Sequence, residues 1–171
     1  GGGGVVAAPV VDAAKRVGIA VTNTPGVLTD ATAEIALMLL LMSARRAGEG
    51  ERQLRLGNWS GWGPTHMLST QVTGKKLGII GMGRIGKAVA NRAHYGLGMK
   101  ILYASRTNSV SLPSDMCAEM LPFEEILKRS DFVSLHCPST PQTHYLIDES
   151  AFRLMQPHAH LINTARGNVV H

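Results

Sequence analysis

Short apolar runs alternate with helical stretches along this chain, and that alternation predicts an α/β fold with a doubly wound parallel sheet. Two further observations support the fold class. A glycine-rich turn at 81–86 follows the short apolar run at 76–80, and no internal repeat interrupts the alternation. Strand–helix–strand order implies right-handed crossovers, which place successive strands parallel. The chain has 171 residues, enough for one domain with a substantial core. Apolar residues make up 44% and charged residues 17%, a balance that argues against disorder.

The elements follow in order. Residues 12–17 (DAAKRV) predict a short helix ended by Gly18, and 19–22 a strand. Asn23, Thr24, Pro25 and Gly26 are dense turn chemistry. Thr29 or Asp30 is expected to cap the next helix, with Glu34 near its first turns. That helix runs to about Arg46 and is apolar on nearly every side over 35–42, so it is expected to be buried all round, between domains or subunits. Residues 57–73 read as a loop carrying Trp59 and Trp62. A strand is expected at 76–80, then the glycine turn. Ile85, Val89 and Ala93 share one helical face over 85–95, and Gly96 and Gly98 stop that helix. Strands at 100–103, 132–135 and 160–162 alternate with helices at 123–129 and 149–155, the last ending before Pro157.

The longest apolar run, 35–42, is far shorter than the roughly 20 residues that cross a bilayer, so no membrane partner is expected. The chain opens on glycines without an initiator Met and closes on His171, inside what reads as a structural element. The expectation is an excerpt of a longer chain. Seventeen basic residues against 12 acidic leave a net charge of +5. A basic balance suits nucleic acid, membrane surfaces or small anions. No Lys/Arg block exceeds two residues, and aromatic residues are only 5%, so nucleic acid is not the expected partner. Cys117 and Cys137 lack metal-ligand spacing; no metal site is expected. They read as free thiols of a reducing compartment, which makes cytoplasm the expected location.

Gly81, Gly83 and Gly86 fit G-x-G-x-x-G after a strand and before a helix, the context that a dinucleotide-binding turn requires. The first glycine allows the tight turn, the second lets a pyrophosphate approach, and the third lets helix and strand pack. The phosphates then meet free N–H groups at the positive helix end, with Arg84 beside them and Ile85 in the same turn. This is a Rossmann-type arrangement. An NAD-binding chain usually offers a carboxylate about 20 residues on, at the ribose 2′-OH. Here that neighbourhood holds Ser105, Arg106 and Thr107. Hydroxyls and a guanidinium suit a 2′-phosphate, so NADP is expected in preference to NAD.

Four stretches in order, VTNTPGVLTDATAEIALMLLL (21–41), GMGRIG (81–86), SLHCPSTPQTHYLID (134–148) and LINTARG (161–167), resemble the D-isomer-specific 2-hydroxyacid dehydrogenases, most closely their glyoxylate/hydroxypyruvate reductase group. The resemblance runs from about Val11 to the end. It implies residues 1–26 as a remnant of a substrate-binding domain and 27–171 as the NAD(P)-binding domain. It implies hydride transfer between NAD(P)H and a small 2-keto or 2-hydroxy acid. By position, Arg166 matches the catalytic arginine that binds the substrate carboxylate. Thr32, Thr164 and Ala165 match positions near the nicotinamide, and His136, Cys137, Pro138 and Thr143 the loop along the cofactor. A lone His at a strand end is more often structural than an acid, and Cys137 more often packing than nucleophile.

Residues 1–10 match the family's substrate-carboxylate loop only loosely. The family's catalytic Glu and His fall beyond position 171, so negligible turnover is expected from these residues alone. The resemblance also implies a homodimer through the helix at 30–46 and the Trp59/Trp62 loop. Two other readings stay open: an NAD-dependent phosphoglycerate or D-lactate-type dehydrogenase, and a non-catalytic dinucleotide-sensing protein related to corepressors. A short-chain dehydrogenase is disfavoured, because no Tyr-x-x-x-Lys occurs.

Overall fold

The computed structural model describes residues 8–171. Most of the glycine-rich opening stretch, residues 1–7, therefore lies outside the described residues. Among the described residues, five strands form one fully parallel sheet: β1 (Lys76–Ile80), β2 (Lys100–Ala104), β3 (Glu119–Met120), β4 (Phe132–Leu135) and β5 (His160–Asn163). Their spatial order is β3-β2-β1-β4-β5. The chain thus winds outward from β1 through β2 to β3, then returns to the other side of β1 for β4 and β5. The doubly wound parallel α/β fold expected from the alternation is what forms.

Helices cover both faces. On one face lie α2 (Thr29–Arg45) and α4 (Arg84–Asn91), whose Ala33, Ala36, Leu40, Val89 and Ala90 pack on Leu77, Ile79, Ile101 and Phe132. On the other lie α5 (Phe123–Arg129) and α6 (Glu149–Leu154), packed on Ile80, Leu102, Val133 and Leu135. β1 and β4 are buried on both faces, so they read as continuous apolar runs rather than alternating ones. Burying a Leu, Ile or Phe fully is worth roughly 1.5–3 kcal/mol. Gly78, in mid-strand, has its own packing reason: a Cβ there would lie 2.2 Å from Ser130 Oγ and 2.5 Å from Ile126 Cγ2. The missing side chain lets α5 sit close on β1.

Several expectations are corrected. Residues 19–22 form no strand; α1 (Ala8–Arg16) is followed by irregular backbone up to the turn before α2. α2 begins at Thr29 with Leu28 as its cap residue, and no side chain caps it. Thr29 and Asp30 are instead its first helical residues, and Asp30 pairs with Arg92 at 2.7 Å. Within this chain α2 is buried on one side. Ala33, Ala36, Leu40 and Ala44 face the core, while Ile35, Met38, Leu39 and Met42 are exposed. The small residues make the buried face because they let α2 approach α4 and the sheet.

A helix not expected from the sequence, α3 (Ala47–Arg55), follows α2 directly. Arg46 between them takes the left-handed conformation at φ 57° and donates to both oxygens of Glu49. Arg46 also donates to the Leu68 carbonyl, tying the 57–73 loop to this junction. Trp59 and Trp62 on that loop are exposed, at 55% and 86%. The α4 helix continues as a π-helical turn, Arg92–Gly96, before β2. Among the described residues, no helix is long and apolar enough to cross a membrane, and no group of three or more His, Cys, Asp or Glu is placed to hold a metal.

Candidate functional site

In a parallel sheet all carboxyl ends of strands lie along one edge. The winding direction reverses between β1 and β4, and ligands of open α/β sheets bind in the crevice at that point. A cleft of about 830 Å³ opens there, within the range of cofactor sites. Its walls come from the ends of four strands and from the turn before α2. After β1 stand Gly81 to Ile85, after β2 Ala104 to Thr107, and after β4 His136 to Pro138 with Gln142 and Thr143. The fourth strand, β3, contributes the segment behind it, Leu121 to Phe123.

The glycine turn is shaped by close approach. Gly81 has φ +97°, a left-handed conformation that favours glycine, and a Cβ there would lie 2.8 Å from the Cys137 nitrogen and the His136 carbonyl. The turn from β1 is therefore pressed against the segment leaving β4. Gly83 has open space where a Cβ would be, so the backbone at the start of α4 is accessible. Gly86 does not line the cleft. Its Cβ would lie 2.3 Å from the Gly81 carbonyl oxygen and 3.3 Å from Ile79 Cγ2. It acts by letting α4 pack on the turn and on β1.

The N-terminus of α4 lacks a capping side chain and has no acidic residue in its first turn. Arg84 occupies that first turn instead, a cation at the positive end of a helix. The placement is locally unfavourable and an anion reverses it. The described residues lining the cleft include Arg84 and Arg106 but no carboxylate. Glycine-permitted access, uncapped N–H groups and two guanidinium groups fit a pyrophosphate-bearing ligand. Ser105 is held by its own turn: its Oγ accepts from the Thr107 amide at 3.3 Å.

His136 lines the floor. It is 4% exposed, and its Nε2 meets Ser134 Oγ at 2.7 Å. Burial pushes its pKa down from 6.5 to about 4, so the ring is neutral at pH 7. Burial also raises the Cys137 thiol, opposed in part by the nearby Arg106. The neutral ring and the protonated thiol bring no charge to the cleft. Thr143 lines the cleft, but its hydroxyl is engaged within its loop. It donates to the Pro138 carbonyl at 2.6 Å and accepts from the Thr140 amide at 2.8 Å. Thr143 therefore sets the shape of the wall.

Eleven expected positions thus meet at one cleft: Gly81, Gly83, Arg84, Ile85, Ser105, Arg106, Thr107, His136, Cys137, Pro138 and Thr143. Thr32, Gly86, Thr164, Ala165 and Arg166 do not line it. Thr32 lies half-buried on α2. Thr164, Ala165 and Arg166 follow β5 on the same carboxyl edge, and the buried Thr164 hydroxyl lacks a hydrogen-bond partner. Arg166 is exposed and donates to the Ala165 carbonyl at 2.9 Å. Asn163 braces this turn, accepting from the Ala165 amide and donating to the Arg166 carbonyl, both at 3.0 Å.

Two walls went unrecognised in the sequence. Asn23 to Gly26 was legible as a turn, yet nothing in it signalled that it folds back against Arg84, whose Nη1 lies 3.7 Å from the Cβ position of Gly26. Leu121 to Phe123 follows a two-residue strand too short to show a period.

Residues 37–171 match the family model described as D-isomer specific 2-hydroxyacid dehydrogenase, NAD binding domain. The chain belongs to this family. The matched domain binds a nicotinamide dinucleotide, in accord with the cleft. A glyoxylate reductase from Thermococcus litoralis is 52% identical over 165 residues, covering 94% of this chain and 49% of that protein. The TT0316 protein of Thermus thermophilus superposes with a TM-score of 0.89 at 47% identity, covering 94% of this chain and 50% of that one. A glyoxylate reductase from Paecilomyes thermophila gives a TM-score of 0.79 at 36% identity, covering 94% and 47%. The chain spans about half the length of these relatives.

Proposed function

We propose that this chain carries the cofactor half of a glyoxylate reductase-like enzyme, which transfers a hydride between NAD(P)H and a small 2-keto acid. The observation that carries this reading is the cleft itself. The glycine turn after β1 and the His136–Cys137–Pro138 segment after β4 flank one crevice at the point where the sheet reverses. Supporting it, the relatives from Thermococcus litoralis and Paecilomyes thermophila are named glyoxylate reductases.

In this reading Gly81, Gly83, Arg84 and Ile85 hold the pyrophosphate, with Gly86 packing the helix beneath. Ser105, Arg106 and Thr107 receive the adenosine ribose. With hydroxyls and a guanidinium but no carboxylate there, NADPH is preferred over NADH. The nicotinamide end points toward Thr32, Thr164 and Ala165. Arg166, a planar fork on the same edge, anchors the substrate carboxylate. The bound dinucleotide supplies the hydride. These residues orient it and exclude water from one side.

Residues 1–26 then belong to a substrate domain and 27–171 to the dinucleotide domain. The exposed row Ile35, Met38, Leu39 and Met42 on α2 and the exposed Trp59 and Trp62 support a homodimer contact. The free thiols Cys117 and Cys137 support a cytoplasmic setting. Fluorescence titration of the chain with NADPH and NADH tests the proposal. Tighter binding of NADPH, by about tenfold or more, is expected. Equal affinities overturn the preference, and no binding of either overturns the reading.

A further inference from the structure

The segment after β4 and the segment after β5 are clasped together beyond the strands' carboxyl ends, with Ile147 and Val169 packed into the core under the sheet. Ser139 Oγ and the Asn168 carboxamide lie within hydrogen-bond reach through both carboxamide atoms, at 3.0 Å to Oδ1 and 2.9 Å to Nδ2. Behind this side-chain clasp the backbones pair. The Tyr145 amide donates to the Asn168 carbonyl at 2.8 Å, the Ile147 amide to Val169 at 3.0 Å, and the His171 amide to Ile147 at 2.9 Å. Tyr145 holds the left-handed conformation at φ 51° and its ring packs against His171, with centroids 4.3 Å apart. A tyrosine in that conformation is strained and persists only where its surroundings impose it.

The two clasped segments have different tasks. The one after β4 lines the cleft through Pro138, Gln142 and Thr143, and its first turn is wound round the Thr143 hydroxyl. The one after β5 carries Arg166, two residues before Asn168. Its backbone is braced from the strand side by Asn163. Asn163 and Asn168 thus hold the Arg166 turn from opposite ends, and of the two it is Asn168 that connects it to the cleft wall.

We infer that Asn168 is a positioning residue, which with Ser139 makes the cleft wall and the Arg166 turn move as one body, so that filling the cleft orders the arginine. Coupling of this kind needs packed elements that shift together rather than independently. The inference rests on the reading of the cleft as the dinucleotide site, and its test separates the two.

Amide hydrogen exchange is measured on the 171-residue chain and on S139A and N168A. The Thr143 and His144 amides report the wall, and the Ala165 and Val169 amides the turn; each donates within its own segment. Without ligand, losing the clasp should speed exchange of the turn amides in S139A and of the wall amides in N168A, by about fivefold for one lost hydrogen bond. With saturating NADPH, both segments should slow in the unmodified chain. In N168A the wall should still slow while the turn does not.

Unchanged turn exchange in ligand-free S139A overturns the clasp whether or not any cofactor binds. A turn that slows equally in N168A overturns the role of Asn168. Failure of NADPH to bind overturns the cofactor reading and the proposed effect of filling the cleft, while the ligand-free arms still decide the clasp.

Discussion

His136 makes the chain sensitive to mild acid, and the effect can be sized. The ring is 4% exposed and burial lowers its pKa to about 4, against 6.5 when unfolded. A folded-state pKa below the unfolded one means that the unfolded chain takes up the proton first. The stability from keeping His136 neutral is therefore fully present above pH 6.5 and is lost as pH falls from 6.5 toward 4. At about 1.4 kcal/mol per tenfold, the gap amounts to roughly 3 kcal/mol. That is a large part of the roughly 5–15 kcal/mol typical of a domain. The assay is urea unfolding of the unmodified chain and of H136Q at a series of pH values. Glutamine keeps a hydrogen-bonding group near Ser134 but does not titrate. The unmodified chain should lose about 3 kcal/mol relative to H136Q between about pH 7 and pH 4, with most of the loss below about pH 6. His160, also lowered by burial, and the lowered carboxylates of Glu49, Glu119 and Asp148 are common to both proteins and cancel. Parallel stability curves across that window would refute the reasoning.

Substituting G86A drives a Cβ to 2.3 Å from the Gly81 carbonyl, so it should destabilise by about 1–3 kcal/mol and weaken NADPH binding. An unchanged melting temperature with unchanged affinity would show that the packing role is misassigned. The double substitution S105D/R106A removes a guanidinium and adds a carboxylate at the end of β2, and should move the preference from NADPH toward NADH. A constant ratio of the two dissociation constants contradicts the 2′-phosphate reading. Removing the exposed ion pair with D30A should cost under about 1 kcal/mol, since Arg92 and Asp30 are 35% and 76% exposed. A loss above about 2 kcal/mol in chemical denaturation would mean that the pair anchors α2 on the α4 turn more firmly than its exposure implies.

What was legible in the sequence was what local chemistry dictates. The glycine turn was readable because each glycine answers a separate steric demand, at φ +97° for Gly81 and by close approach for Gly86. The buried strands were readable as short apolar runs. By contrast, apolar character over 35–42 did not say which face of α2 turns inward. Alanines set that face by allowing close approach, while the larger Ile35 and Met38 point out. Residues 19–22 alternate weakly and lack a strand to pair with, so propensity alone did not make a strand there. Asn163 braces its own turn through residues two and three positions on, a local pattern, whereas the role of Asn168 arises from its contact with Ser139, 29 residues away, which no spacing rule reveals. The motif around Arg166 marks the residue, whereas its position beyond the cleft lining follows from the sheet.

The turn at Asn23 to Gly26 and the loop through Thr143 line one cleft, although well over a hundred residues separate them. An occupant of that cleft therefore closes a ring across most of the polypeptide. Any molecule bound there by the folded chain alone raises its stability by mass action, about 2.7 kcal/mol at a hundredfold excess over the dissociation constant. Growth conditions that raise the cellular pool of such a molecule would then raise the yield of intact protein, and a protease would read that pool as a change in half-life.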